Sequence, residues 1–247
     1  MTFILWTGGE GPSFEEADFL IKKLSLLKTT EIYHVCADSG FDSFLDWKNH
    51  CSNNILPEFI AGDFDSSSSL KTLEDFKKKG IIVYSSPRDK DYSDTELCML
   101  KIKKIYSLKR KSKKEKLNLI LFGGGNGRID HFISILDLFC RTEFIKPLLW
   151  LYRKNFIFML KKNKNYTLES FTENQNISFS RLPSSWKKGR IESFGLEWEG
   201  KKFRKNGFAS LSNRPSKEAL KSGKISIKVK GADFLLISGE PIFVFEN

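Results

Sequence analysis

Six short apolar runs recur in the first part of the chain, and most are unbroken rather than alternating. They are Phe3 to Trp6, Ile32 to Cys36, Phe59 to Ala61, Ile81 to Tyr84, Leu117 to Phe122 and Leu148 to Tyr152. A strand that is apolar on both faces must be covered on both faces, which is the condition of a parallel sheet between helices. The stretches between the runs supply those helices. Ser13-Phe14-Glu15-Glu16 is a capping box, with Phe14, Ala17, Ile21 and Leu24 on one stripe behind it. Leu70, Leu73 and Phe76 form a second stripe that Gly80 can end. Ser93-Asp94-Thr95-Glu96 is another capping box, predicting a helix that buries Leu97, Leu100 and Ile105. A further helix opens near Asp130, with Ile133, Leu136 and Cys140 or Phe139 facing inward. The alternation predicts a three-layer α/β domain with a mainly parallel sheet.

Beyond Lys154 the pattern changes. Phe156 to Leu160, Tyr166 to Phe171, Ile177 to Leu182, Gly207 to Leu211, Ile225 to Val229, Phe234 to Ile237 and Ile242 to Phe245 are short strands separated by turn-rich groups. Short strands without long helices between them predict a C-terminal β-sandwich. We therefore divide the chain into residues 1–154 and 155–247. Over 247 residues, a hydrophobic fraction of 40% and an aromatic fraction of 13% suffice for buried cores in both parts. Ser107 to Lys116 reads as an exposed, charged insertion.

The formal charge of +11 comes from lysine, clustered at Lys77 to Lys79, Lys109 to Lys116, Lys161 to Lys164, Lys187 to Arg190 and Lys201 to Lys205. Such patches can neutralise nucleic-acid phosphates, but no aromatic-rich binding motif or zinc module accompanies them. A solvated lysine surface that attracts anionic nucleotides is the better reading, with no nucleic-acid partner. Cys36, Cys51, Cys98 and Cys140 are scattered without a Cys-x-x-Cys pair, as expected of reduced structural thiols. The start, Met1 to Trp6, has no basic leader and too short an apolar run for a signal peptide. No segment approaches the roughly 18 apolar residues of a membrane span. The expected compartment is the cytoplasm.

In a parallel α/β sheet, ligands bind beyond the carboxyl ends of the strands. Asp38 follows one apolar run, Asp63 and Asp65 follow the next, and Gly123 follows that ending at Phe122. Asp94 enters from the first turn of its helix. In an extended segment, Asp63 and Asp65 would point to one side. Taken alone, Asp63-Phe64-Asp65-Ser66 reads equally as a metal-binding pair or as a capping turn before Leu70. Asp38 and Asp94 in the same register favour a hard cation, Mg²⁺, shared with phosphates. The loop from Gly123 to Gly127, including Gly124 and Gly125, resembles a phosphate cradle before a helix, and Arg128 can grip phosphate in bidentate fashion. It lacks the Lys-Ser/Thr of a Walker loop and the spacing of a dinucleotide fingerprint. His131 reads as a helix-start contact or as a catalytic group.

Together these motifs resemble the thiamine pyrophosphokinase (thiamine diphosphokinase) family, in order and through most of the chain. The resemblance is carried by Gly8-Gly9-Glu10, Ala37-Asp38-Ser39-Gly40, Gly62 to Ser66, Lys90 to Asp94 and Gly127-Arg128-Ile129-Asp130-His131. In the second half, Gly195-Leu196-Glu197-Trp198 and Ser210-Leu211-Ser212-Asn213 look like the family's two C-terminal signatures. The resemblance implies transfer of a diphosphate from ATP to the hydroxyethyl group of thiamine, with Mg²⁺, giving AMP and thiamine diphosphate. It also implies an α/β domain followed by a β-sandwich, and a homodimer with the thiamine site at the subunit interface.

By that resemblance Asp38, Asp63, Asp65 and Asp94 surround Mg²⁺ and the phosphates. Ser39, Gly40, Lys90, Asp91 and Ser93 line the same site, and Arg128 contacts phosphate. Asp130, Ser210, Ser212 and Asn213 lie on the thiamine side, and Trp198 covers the pyrimidine ring from the partner subunit. A core or interface aromatic is the plainer reading of Trp198. Ser39 stands where the family usually has a second Gly, and Ser93 where it commonly has Thr. The rival readings are a diphosphokinase for another heterocyclic alcohol, such as a hydroxymethyl pterin, and a basic, non-catalytic nucleic-acid-binding protein.

Overall fold

The six apolar runs are strands of a parallel arrangement: β1 (Thr2–Trp6), β2 (Ile32–Ala37), β3 (Phe59–Gly62), β4 (Ile82–Ser85), β5 (Asn118–Phe122) and β6 (Leu149–Tyr152). The computed structural model describes residues 1–26, 31–51, 54–64, 70–85, 91–112, 114–124, 128–200 and 203–247. They form two compact units, Met1–Arg153 and Lys154–Asn247. In the first unit the strands lie in the order β6-β5-β1-β2-β3-β4, each pair parallel. The chain steps outward from β1 to β4, then crosses back to place β5 on the other side of β1. That reversal is a topological switch point, where a crevice opens between the carboxyl ends of β1 and β5.

Among the described residues five helices cover the sheet: α1 (Phe14–Leu26), α2 (Gly40–His50), α3 (Leu70–Lys78), α4 (Asp94–Lys109) and α5 (Ile129–Leu138). On one face Phe44 and Trp47 of α2 meet the rings of Trp6 and His34. Phe14 of α1 lies against His50, and Phe41 against Phe76 of α3. On the other face, Lys101 and Lys109 of α4 lie over the rings of Tyr84 and Tyr33, and Phe132 of α5 packs on Trp150 and Tyr152. The three layers are those expected.

Both predicted capping boxes are present, Ser13 with Glu16 and Ser93 with Glu96. α3 ends at Gly80 in a left-handed conformation, with Ile81 N–H bonded back to the Phe76 carbonyl. Two inward faces differ from expectation. α4 buries Cys98, Met99 and Ile102, while Leu97, Leu100 and Ile105 are half-buried. α5 buries Ile135, Leu138 and Phe139 and leaves Ile133 57% exposed. The aromatic seat of Phe132 on Trp150 sets that rotation, with Ile135 and Phe139 following at helical spacing. α2 was not foreseen, although Phe41, Phe44, Leu45 and Trp47 give it a buried stripe.

In the second unit β7 (Asn155–Leu160), β9 (Ile177–Arg181), β11 (Phe208–Asn213) and β13 (Phe234–Ser238) lie side by side in the order β11-β9-β13-β7. A second layer is formed by β8 (Asn165–Glu169), β10 (Arg190–Phe194), β12 (Ile225–Lys230) and β14 (Phe243–Glu246), in the order β10-β12-β8-β14. All these pairings are antiparallel. β12 alternates as a half-buried strand should, with Ile225, Ile227 and Val229 inside and Ser226 and Lys228 outside. Phe158 and Tyr166 meet between the layers, and burial pushes the Tyr166 hydroxyl up to about 12. This is the β-sandwich expected, with β10 and the short helix α6 (Lys217–Ser222) as elements not anticipated. All four cysteines are free. Among the described residues no helix is long and apolar enough to cross a membrane.

Candidate active site

The crevice at the switch point is built from four strand ends and three helix starts. Thr7 follows β1, and its N–H and hydroxyl both bond to the Phe122 carbonyl of β5, at 2.8 and 3.1 Å. Gly124 N–H then bonds to the Gly8 carbonyl at 3.0 Å, so the loops after β1 and β5 are stitched together. Around this seam is a cavity of about 630 Å³. Its carboxylates are Asp38 after β2, Asp63 after β3 and Asp94 at the start of α4. Ser39, Ser93, Gly124 and Arg128 also line it.

Local geometry explains why these groups converge. Asp38 and Phe64 both hold left-handed backbone conformations, with φ of 47° and 58°. The Phe64 N–H donates to Asp38 Oδ1 at 3.1 Å, tying the β2 end to the β3 end. Gly62 permits that approach, since a Cβ there would lie 2.8 Å from the Asp38 Cα. Left-handed non-glycine residues cost energy and persist where surrounding contacts fix them. The turn at Phe64 also corrects one expectation: the segment is not extended, so the two-residue spacing does not by itself align Asp63 with Asp65. Asp65 lies outside the described residues, as do Lys90, Gly125 and Gly127.

Ser39 is the N-cap of α2, with its hydroxyl against Gly8; a Cβ on Gly8 would come within 2.3 Å of Ser39 Oγ. The missing side chain of Gly8 thus makes room for the hydroxyl at position 39. Gly40 is buried at the start of α2. Ser93 accepts from Glu96 N–H as the cap of α4, while Asp91 is exposed and outside the cavity lining. Arg128, at the N-cap of α5, makes a bidentate pair with Asp130, with Nη2 to Oδ2 at 2.6 Å and Nε to Oδ1 at 3.3 Å. The guanidinium hydrogen bonds hold the Asp130 carboxyl down at about 2. Thr7, Gly9, Thr95, His131, Ser134 and Ile135 line the cavity too, and of these Gly9, Thr95 and His131 stood in motifs singled out from sequence. His131, Ser134 and Ile135 share one face of α5 by their i, i+3 and i+4 spacing, which a helical projection from His131 would have shown.

Two features of the cavity suit a polyphosphate with a hard cation. The starts of α2, α4 and α5 all border it, and helix N-termini favour phosphate through unpaired N–H groups and the macrodipole. Against that positive potential stand the carboxylates, which need a cation if phosphate is to approach. Among the described residues no three carboxylate, histidine or cysteine side chains form a closed metal cage. Mg²⁺ commonly takes one or two carboxylates and completes its shell with substrate phosphates and water. Asp38, Asp63 and Asp94 line the cavity, and one or two of them together with substrate phosphates would match that donor set.

The second unit holds the remaining predicted residues. Trp198 is 38% exposed, on the loop between β10 and β11. Asn213 is fully buried, and its amide is completely used. Its Oδ1 accepts from the N–H groups of Trp198 and Arg214 at 3.1 and 2.9 Å. Its Nδ2 donates to the Trp198 carbonyl at 2.7 Å and to Ser210 Oγ at 3.1 Å. Both lone pairs and both protons of the amide are thereby satisfied. Ser212 is exposed with φ of 53°, and its N–H donates to Ser178 Oγ. Arg214 lies over the Trp198 ring at 5.8 Å and pairs with Glu197. Glu197 and Arg214 also line a cavity of about 580 Å³ within this unit.

Residues 24–149, just over half of the chain, match the family model described as "Thiamin pyrophosphokinase, catalytic domain". The fold resembles a thiamine pyrophosphokinase from Bacillus subtilis, at 17% identity and a TM-score of 0.64 over 98% of this chain and 100% of the other. A thiamin pyrophosphokinase family protein from Enterococcus faecalis aligns at 16% identity and a TM-score of 0.64, covering 97% and 99%. Thiamin pyrophosphokinase from Candida albicans aligns at 19% identity and a TM-score of 0.63, covering 96% and 88%.

Proposed function

The chain belongs to the thiamin pyrophosphokinase family, and from that premise we propose that it transfers a diphosphate group from ATP to thiamine. The observation that carries the reading is the cavity at the switch point, which Asp38, Asp63, Asp94 and Arg128 line together with the starts of three helices. In the reaction the thiamine hydroxyl oxygen attacks the β-phosphorus of ATP in line. A new oxygen–phosphorus bond forms, the bridge between the α- and β-phosphates breaks, AMP leaves, and the hydroxyl proton passes to an acceptor or to water.

Asp38, Asp63, Asp65 and Asp94 are the residues that would hold Mg²⁺. When bound, the ion neutralises phosphate charge and orients the polyphosphate. Arg128 grips a phosphate in place of its present partner Asp130, and the N–H groups at the starts of α2, α4 and α5 hold the remaining oxygens. Lys90, Ser93, Ser39, Gly40, Gly124, Gly125 and Gly127 shape the same nucleotide site, and Asp91, outside the cavity lining here, would join them only once the nucleotide is bound. These groups work by placement and by charge already arranged for the transition state, with no covalent enzyme intermediate.

Trp198 covers the flat heterocycle of the acceptor, an aromatic face suited to a ring that carries positive charge. Ser210, Ser212 and the released Asp130 contact it, while Asn213 fixes the Trp198 main chain. We place this acceptor site at the interface of a homodimer in the cytoplasm, with Trp198 contributed by the partner subunit. A thermal-shift panel with thiamine, pyrithiamine and hydroxymethyl pterins tests the acceptor. Stabilisation by thiamine and pyrithiamine is the expected outcome; stabilisation by pterins alone would reject thiamine.

A further inference from the structure

Trp198 stands on a loop that the chain fastens from two sides. Asn213 grips the Trp198 main chain from β11. The other fastener is Glu199, a residue outside every motif read from the sequence. The loop leaves β10 through Gly195, whose φ is 100°. This turn leaves the N–H groups of Gly195 and Leu196 pointing toward a common acceptor. Glu199 Oε1 receives both, at 2.7 and 3.1 Å, and its Oε2 receives the Ser193 hydroxyl. One carboxylate thus closes residues 195–199 into a ring fixed at the end of β10, with the indole of Trp198 beside the closing residue. Hydrogen bonds to an ionised acceptor are among the stronger ones available to a loop.

We propose that Glu199 is a positioning residue for the acceptor site: its carboxylate sets the Gly195 to Glu199 ring, so that Trp198 is presented before the heterocycle arrives. The proposal rests on the reading that Trp198 covers thiamine. Without the carboxylate, two N–H groups and a hydroxyl lose their common acceptor, and the loop samples other shapes. The cost of ordering it then falls on acceptor binding. ATP binding, which uses the other unit's residues, does not carry that cost.

The test compares wild type, Glu199→Ala and Glu199→Gln by steady-state kinetics with ATP and thiamine varied separately, and by amide hydrogen exchange across residues 193–199. Glutamine retains a carbonyl for both N–H groups and donates to Ser193, so it should restore the wild-type values within about twofold. Glu199→Ala should raise the thiamine KM by about 3- to 10-fold, the cost of immobilising one or two side chains. Its KM for ATP, its kcat and its melting temperature should hold, while exchange at Gly195 and Leu196 quickens. An unchanged thiamine KM in Glu199→Ala overturns the proposal, as does an equal rise in both KM values with a lowered melting temperature. Wild-type protein with no thiamine turnover would reject the acceptor assignment, and this proposal with it; turnover in wild type with an unmoved KM in the variant rejects this proposal alone.

Discussion

At the scale of single residues, the site joins expensive conformations to charged groups. Asp38 and Phe64 hold left-handed backbones, and the hydrogen bond between them keeps two carboxylate-bearing loops in register. Asp63 is the clearest probe of the cation reading because it lies on the cavity wall immediately before that turn. Asp63→Asn should lower kcat by at least about 10²-fold, the scale seen when one preorganised electrostatic group is lost. Its circular dichroism and melting temperature should remain those of wild type; near wild-type turnover would remove Asp63 from the cation site. His34 tests the aromatic core between the sheet and α2. It is buried between Trp6 and Trp47, accepts from Trp6 Nε1 at 3.1 Å, and burial pushes it down to about 4 from 6.5. Because the folded value is depressed, the unfolded chain binds more protons between these two values. Stability therefore falls as pH drops from 6.5 toward 4, by about 3 kcal/mol from this group. Urea unfolding of wild type and His34→Phe across that window should show a shallower pH dependence in the variant; equal slopes would contradict the assignment.

At the scale of elements, the strands were legible and several helix faces were not. Unbroken runs such as Leu119 to Phe122 read as buried strands, which made β1 to β6 readable from the chain alone, although β4 at the sheet edge leaves Ile82 54% exposed; the carboxyl-end rule then gathered Asp38, Asp63 and Gly124. Periodicity fixed that α5 exists but not its rotation, because Ile129, Ile133 and Ile135 are equally apolar and the Phe132 to Trp150 contact chose between them. α2 was hidden because Asp38-Ser39-Gly40 reads as a turn and six of the helix's residues, Asp42, Ser43, Asp46, Lys48, Asn49 and His50, are polar or charged. β10 was hidden because only Ile191 is buried in it, as suits a strand at the end of its layer. Trp198 was recognisable through resemblance, but Glu199 was not, since two of its partners are main-chain N–H groups that leave no trace in a sequence. Arg181 in β9 is a similar case. Its guanidinium is 3% exposed and donates to the carbonyls of Lys188, Gly189, Arg204 and Gly207, flanking the excursion that carries Trp198. Arg181→Ala strands those carbonyls and should cost about 3–5 kcal/mol in chemical unfolding. A loss below about 1 kcal/mol, the value of an ordinary surface contact, would show that the clamp does not hold.

At the scale of the whole molecule, a sheet that reverses beside β1 makes a crevice, and the helices that cover it bring their positive ends there. The family match and the structural likenesses concern that frame, and the diphosphate transfer is the chemistry its carboxylates and Arg128 support best. The most direct measurement is product identification after incubating the purified protein with ATP, Mg²⁺ and thiamine. The account predicts AMP and thiamine diphosphate in equal amounts, with neither formed when Mg²⁺ is withheld. ADP with thiamine monophosphate, or no thiamine-dependent AMP at all, would contradict it.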